Sequence, residues 1–135
     1  DSCRELTPCP GVRVTVCGAD HITGGRTLVD SGATAAFHSP ADSGHLAILL
    51  VHEPPPPDSP LAPLFDLAFA GHTHGGQIRI PSRRGLRPVD RGRDARLSGV
   101  HGWGRGRLIV SRGLGTSFLP FRFLTRPEAT VWRLV

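Results

Sequence analysis

The chain contains no lysine, no asparagine, no methionine and no tyrosine. Its 16 basic residues are therefore all arginine. With abundant Gly, Pro and Ala, this points to a GC-rich coding sequence rather than a functional choice. No apolar run reaches the roughly 18 residues needed to span a bilayer as a helix. Cys3, Cys9 and Cys17 are the only cysteines, and they lack the paired spacing of a zinc site. Cys17 lies in an alternating segment and reads as a small buried hydrophobe. Cys3 and Cys9 could bridge in an oxidising compartment, but an odd count does not decide the compartment. What remains is ordinary: 135 residues, 39% of them hydrophobic, enough for one domain or a large part of one.

The net charge is +5, and six arginines fall between Arg83 and Arg96. Such a cluster suits a phosphate-rich or acidic partner, or else a solvated loop. No aromatic residue is interleaved with these arginines, which argues against a nucleic-acid partner.

The histidines carry more information. Leu67, Ala68, Phe69 and Ala70 form an apolar strand-like run that passes directly into Gly71-His72-Thr73-His74-Gly75-Gly76-Gln77. A second apolar run ends in Val51-His52-Glu53-Pro54. Neutral imidazole is the commonest protein metal ligand. Glycines beside it let the backbone pass close to ions or substrate. Three histidines at the ends of two buried-looking strands thus read as a metal site. His21, His38, His45 and His101 have no such context.

These segments resemble the calcineurin-like metallophosphoesterases, in particular the bacterial phosphohydrolase branch that carries Gly-His-Thr-His-Gly-Gly-Gln. Further blocks match in order: Val14 to Asp20, Leu49 to Pro54, Val110 to Ser117, then Pro120, Arg122 and Pro127-Glu128. The resemblance runs from about Gly11 onward. It implies an α/β fold, the C-terminal half of a two-sheet sandwich flanked by helices. It also implies two divalent ions (Mn, Fe, Zn or Ni), with His52 and His72 on one and His74 on the other. The implied substrate is a phosphate ester. Arg112 is a candidate for binding phosphate oxygens or for bonding backbone carbonyls around the motif loop. Gly75 and Gln77 are supporting candidates, Gln77 either holding the loop by side-chain bonds or simply opening the next strand.

The family's Asp-x-His pair, Gly-Asp motif and Asn-His pair have no counterpart here. The chain also starts at Asp1 without a methionine. It is accordingly read as a C-terminal fragment, the alternative being a degenerate protein that has lost its catalytic half: residues 1–135 form a partial phosphoesterase domain whose N-terminal half is absent and would be needed for a complete site. Membrane association could enter through that absent half. A bacterial cytoplasmic, membrane-associated or exported location all fit the resemblance. Alone, such a piece is expected to be inactive and to expose apolar sheet faces. Two other function classes stay open: a nucleic-acid or anionic-surface binding module built on the arginines, and a mononuclear zinc protein built on His52, His72 and His74.

Local patterning predicts strands at Val12 to Val16, Leu46 to Val51, Leu67 to Ala70, Gln77 to Ile80 and Ala129 to Leu134. A hairpin connection is predicted at His101 to Gly106, between strands at Leu97 to Val100 and Arg107 to Val110. A short helix is predicted from Ser59 to Phe65, with Ser59 as N-cap. Residues 23–37 read as a short helix or an irregular connector.

Overall fold

The structure is a computed structural model, and it describes residues 1–20, 25, 28, 44–89 and 96–133. Eight strands are named: β1 (Ser2–Cys9), β2 (Val12–Ala19), β3 (His45–Val51), β4 (Leu67–Ala70), β5 (Arg79–Ser82), β6 (Gly85–Pro88), β7 (Gly99–Trp103) and β8 (Gly106–Val110). Six form one sheet in the order β1-β2-β3-β4-β8-β7, and β5 pairs with β6 as a separate hairpin. The four central strands β2, β3, β4 and β8 run parallel, with β1 and β7 antiparallel at the edges. All four central strands therefore end at the same edge of the sheet.

One row of residues crosses the centre of the sheet: Cys17, Leu49, Ala68 and Leu108 stand in register. All four are completely buried. Leu61, Ala62, Phe65 and Trp103 cover this face, and Trp103 Nε1 donates to the Pro56 carbonyl at 3.0 Å. The indole thus contributes its apolar area while its one donor is satisfied. Gly104 turns the β7–β8 hairpin against this cover; a Cβ there would meet the Ala62 carbonyl oxygen. The next row on the opposite face, Leu50, Phe69, Ile109 and Val100, is less covered. Leu50 is 46% and Val100 53% exposed, so only the inner face is a sealed core.

Several expectations need correction. The flanking helices are not borne out among the described residues, where a sheet-rich mixed fold carries only two named 3-10 turns, Ala62–Leu64 and His74–Gly76. Ser59 is not the N-cap: Ala62 N donates to its carbonyl and Leu61 N to its hydroxyl, but the 3-10 turn Ala62–Leu64 is capped by Leu61, without a side-chain bond. Pro63 then removes a donor, and the turn stops at Phe65 with extended backbone. In β2 the valines are not the more buried set; Thr15 and Cys17 are, because their face meets the core. Thr15 keeps its hydroxyl satisfied against His45 Nε2 at 2.9 Å.

Cys17 is buried but not free: it is disulfide-bonded to Cys3, which β1 places directly opposite it, while Cys9 stays free and exposed. The cross-strand register, invisible without β1, selects this pair. The strand expected from Ala129 to Leu134 does not form over its described residues. The segment instead brings Trp132 edge-on to Phe69, at 6.5 Å between ring centroids. The strand expected at Gln77 begins at Arg79, because Gln77 (φ 31°) closes the second 3-10 turn. Strand β7 runs on through His101 to Trp103, so the hairpin turn is shorter than expected. Strands β1 and β6 were not anticipated, being short of apolar alternation. Most of residues 23–37, together with His21 and His38, lies outside the described residues.

Candidate metal and phosphate site

The site lies where β3, β4 and β8 end side by side. His52-Glu53 follow β3, Gly71-His72 follow β4, and Ser111-Arg112 follow β8. Backbone bonding continues past the strands: Gly71 N donates to the His52 carbonyl at 3.1 Å and Ser111 N to the Ala70 carbonyl at 2.9 Å. This continuation fixes His52 beside His72. In parallel sheets with a common carboxyl edge, that edge is the usual place for a ligand crevice.

His52 Nε2 and His72 Nδ1 stand 2.9 Å apart, with the rings edge-on at 67°. The other nitrogen of His72, Nε2, lies 3.3 Å from Glu53 Oε1. A proton on Nε2 facing the carboxylate leaves the Nδ1 lone pair directed at His52. His74 is oriented in the same way by a different partner: its Nδ1 meets Gln77 Oε1 at 3.2 Å. The amide orientation of Gln77 is set by its other bonds. Its Oε1 accepts from Ser117 N at 2.8 Å, and its Nε2 faces the carbonyls of Ser117, Leu119 and Phe121 at 2.8–3.1 Å. An amide oxygen accepts, so His74 Nδ1 carries the proton and Nε2 is its open nitrogen.

The loop holding these rings is conformationally costly. His72 (φ 62°) and His74 (φ 49°) occupy the left-handed region, as do Gly75, Gly76 and Gln77. Non-glycine residues reach that region rarely, and such strain persists only where surroundings over-determine it. Here they do. Thr73 Oγ1 donates to the Leu97 carbonyl at 2.7 Å, and Arg79 Nε donates to the Gly75 carbonyl at 2.8 Å. Gly75 is buried, and a Cβ on it would sit 2.8 Å from Arg112 Cγ and 3.0 Å from Thr125 Cγ2.

Two arginines divide the work that the motif suggested for one. The Arg112 stem packs over Gly75, and its Nε lies 3.3 Å from Glu128 Oε2. The carbonyl-bonding role belongs to Arg122. Its guanidinium donates to the carbonyls of His74 (3.0 Å), Arg112 (2.8 Å), Gly113 (3.1 Å) and Gly115. Sequence reasoning noticed Arg122 only as part of a matching block, and it missed Glu53 as a partner of His72. Glu53 was legible in principle, since it directly follows a candidate ligand. Arg122 sits 48 residues from His74, and nothing local marks it.

His72 and His74 line one cleft of about 590 Å³, together with Glu53, Gly76, Gln77 and Ser117. His52 joins through its contact with His72. Among the described residues no three His, Cys, Asp or Glu side chains gather into one metal-binding cluster, so His74 stands apart from the His52–His72 pair. His45 and His101 are engaged elsewhere, with Thr15 and with the Ser98 carbonyl.

Comparison with known proteins agrees with the motif. The chain is 40% identical over 88 residues to a protein of Bacillus subtilis (strain 168) named as an uncharacterized metallophosphoesterase, YkuE; the match takes in 65% of this chain and 30% of that protein. It is 34% identical over 99 residues to the phosphodiesterase YaeI of Escherichia coli (strain K12), across 71% of this chain and 35% of the relative. No family model matches the chain, and no solved structure matches it. The chain spans about a third of the length of the curated relatives it matches. It is thus a homologue of bacterial phosphoesterases, the metallophosphoesterase YkuE and the phosphodiesterase YaeI, over that part of their length.

Proposed function

We propose that this chain supplies the histidine part of a metal-dependent phosphoesterase site, in which His52 and His72 hold one divalent ion and His74 holds a second. The observation that carries this reading is the His52–His72 pair at adjacent strand ends. Its 2.9 Å nitrogen separation is about that of two cis nitrogen ligands roughly 2.0–2.1 Å from one ion. The donor set fits as well: the ligand atoms would be His72 Nδ1, which now faces His52 Nε2, and the open Nε2 of His74. Glu53 and Gln77 act as the outer partners that fix ring tautomer and direction, a role that metal-bound histidines commonly require. Bound divalent ions in such sites supply a deprotonated water near neutral pH and neutralise charge on phosphoryl oxygens. The protein's own contribution is positional. The strained loop presents His72 and His74 to one cleft, Arg122 and Gln77 hold that loop, and Arg112 stands behind Gly75.

The names of the relatives support phosphate esters as the substrate class. The bridging carboxylate and the acid for the leaving oxygen would come from outside residues 1–135, so the chain alone should show negligible turnover. The test is metal binding by calorimetry and hydrolysis of bis-p-nitrophenyl phosphate by the full-length protein, with His52→Ala, His72→Ala and His74→Ala variants. Unchanged metal content and turnover in all three variants would remove the reading.

A further inference from the structure

We propose that the histidine cleft takes phosphate esters whose non-reacting part is apolar, with Phe118 as the residue that selects for it. The proposal rests on the phosphoesterase reading above and names the substrate class of that same site.

The cleft has two chemically different sets of lining residues. Glu53, His72 and His74 make up one, and Ile78, Leu97 and Phe118 belong to the other, apolar one. Its volume of about 590 Å³ falls in the usual small-molecule range of roughly 300–1,000 Å³ and exceeds what a bare phosphate fills. Inorganic phosphate or a sugar phosphate would gain nothing from an apolar wall.

Phe118 is the particular residue because exposure and strain coincide in it. Its side chain is fully exposed. A single exposed apolar residue needs no explanation, but Phe118 also holds φ 58°, a left-handed conformation that bulky residues rarely adopt. The strain is enforced from the histidine loop. Gln77 Nε2 donates toward the carbonyls on both sides of Phe118, Ser117 at 3.0 Å and Leu119 at 2.8 Å. Gln77 Oε1 accepts from Ser117 N at 2.8 Å and also meets His74 Nδ1. One amide therefore bonds both His74 and the backbone on either side of Phe118. Strained backbone that is over-determined in this way clusters at sites of function. An exposed aromatic ring on the lining of a cleft can offer its face to an aryl group or its area to an alkyl chain.

The experiment uses the full-length protein with matched methyl and 1-naphthyl phosphate esters, read in two ways. Hydrolysis gives the ratio of KM values for the two esters. Calorimetry gives the affinity for 1-naphthyl phosphate relative to inorganic phosphate, without requiring turnover. The naphthyl ester is expected to be favoured by roughly three- to tenfold in both. Phe118→Ser should collapse both ratios toward unity, and Phe118→Trp should restore them. Hydrolysis of both esters with equal KM, or a naphthyl preference that survives Phe118→Ser, would overturn the proposal while leaving the phosphoesterase reading intact. Naphthyl-selective binding that depends on Phe118, with neither ester hydrolysed under any divalent metal, would instead sink the phosphoesterase reading and uphold the apolar preference of the cleft.

Discussion

The histidine loop and the arginine-rich stretch sit close together in the chain and are held in opposite ways. Residues 71–77 carry five left-handed backbone positions, a buried glycine, and side-chain or backbone bonds to Leu97, Ser117, Phe123 and Arg122. Arg83, Arg84 and Arg87 stand exposed on the β5–β6 hairpin, and Arg91 and Arg93 lie outside the described residues. By charge alone, the arginines are the more conspicuous feature. By geometry, only the histidine loop is fixed tightly enough to align lone pairs for chemistry. Density of charged residues indicates a partner's sign; enforced strain indicates where atoms must be placed.

The comparison breaks most readily at the histidines. In the full-length protein, His72→Ala and His74→Ala should each cut turnover more than about 100-fold, beyond the roughly 10–100-fold usual for an outer partner of a metal site. His52→Ala should behave like His72→Ala. Steady-state rates measured with metal content check this, and near-normal rates with full occupancy would return the histidines to a structural role. Arg112→Ala should be milder, about 10–100-fold, because it removes packing on Gly75 rather than a ligand.

The next effect concerns the clasp. Arg122→Ala leaves the carbonyls of His74, Arg112, Gly113 and Gly115 without their shared donor. A loss of about 2–3 kcal/mol is expected, from bonds to a charged group. Urea unfolding measures it, and a change below the error of the fit would mean that other contacts hold the loop.

Gly75→Ala sharpens the comparison inside the loop. The new methyl group would overlap Arg112 and Thr125, on backbone at φ 63°. A destabilisation of about 1–3 kcal/mol is expected, with weakened metal binding, because His74 precedes the strained residue. Full stability in this variant would show that the loop can relax, contrary to the rigidity argued above.

The smallest effect is expected at the arginines. Replacing Arg83, Arg84 and Arg87 together by Ser should leave stability within about 0.5 kcal/mol, as for exposed positions away from special features. Turnover should also hold. A large loss of activity with intact His72 and His74 would reverse the comparison and favour an anionic partner on this hairpin.

Legibility followed locality. His52, His72 and His74 were readable as candidates because they lie just beyond two apolar strand runs, and the parallel sheet then carries the His52 and His72 runs to one edge. Gln77 was readable only as either a loop holder or the start of the next strand; its side-chain bonds to His74 and Ser117 come from the fold. Arg122 was not, because its acceptors come from segments brought together only by folding. The Cys3–Cys17 pair escaped for the same reason: β1 has no apolar alternation, and its register with β2 chooses the partner. The expected strand at the C-terminus failed because propensity cannot report whether a pairing partner is in reach; the segment packs Trp132 on Phe69 instead.

By itself, the sequence determined the histidine motif and its spacing, the runs that become β3 and β4, and the kinship with phosphoesterases. These depend on side-chain chemistry and short-range periodicity, which the linear order states directly. The tertiary structure alone decided which face of β2 is buried and which cysteines pair. It also decided which arginine bonds the loop carbonyls and which amide ties His74 to the backbone around Phe118. Those outcomes turn on strand order, register and the competition of distant groups for the same donors and acceptors. Such quantities have no value until the chain has closed on itself.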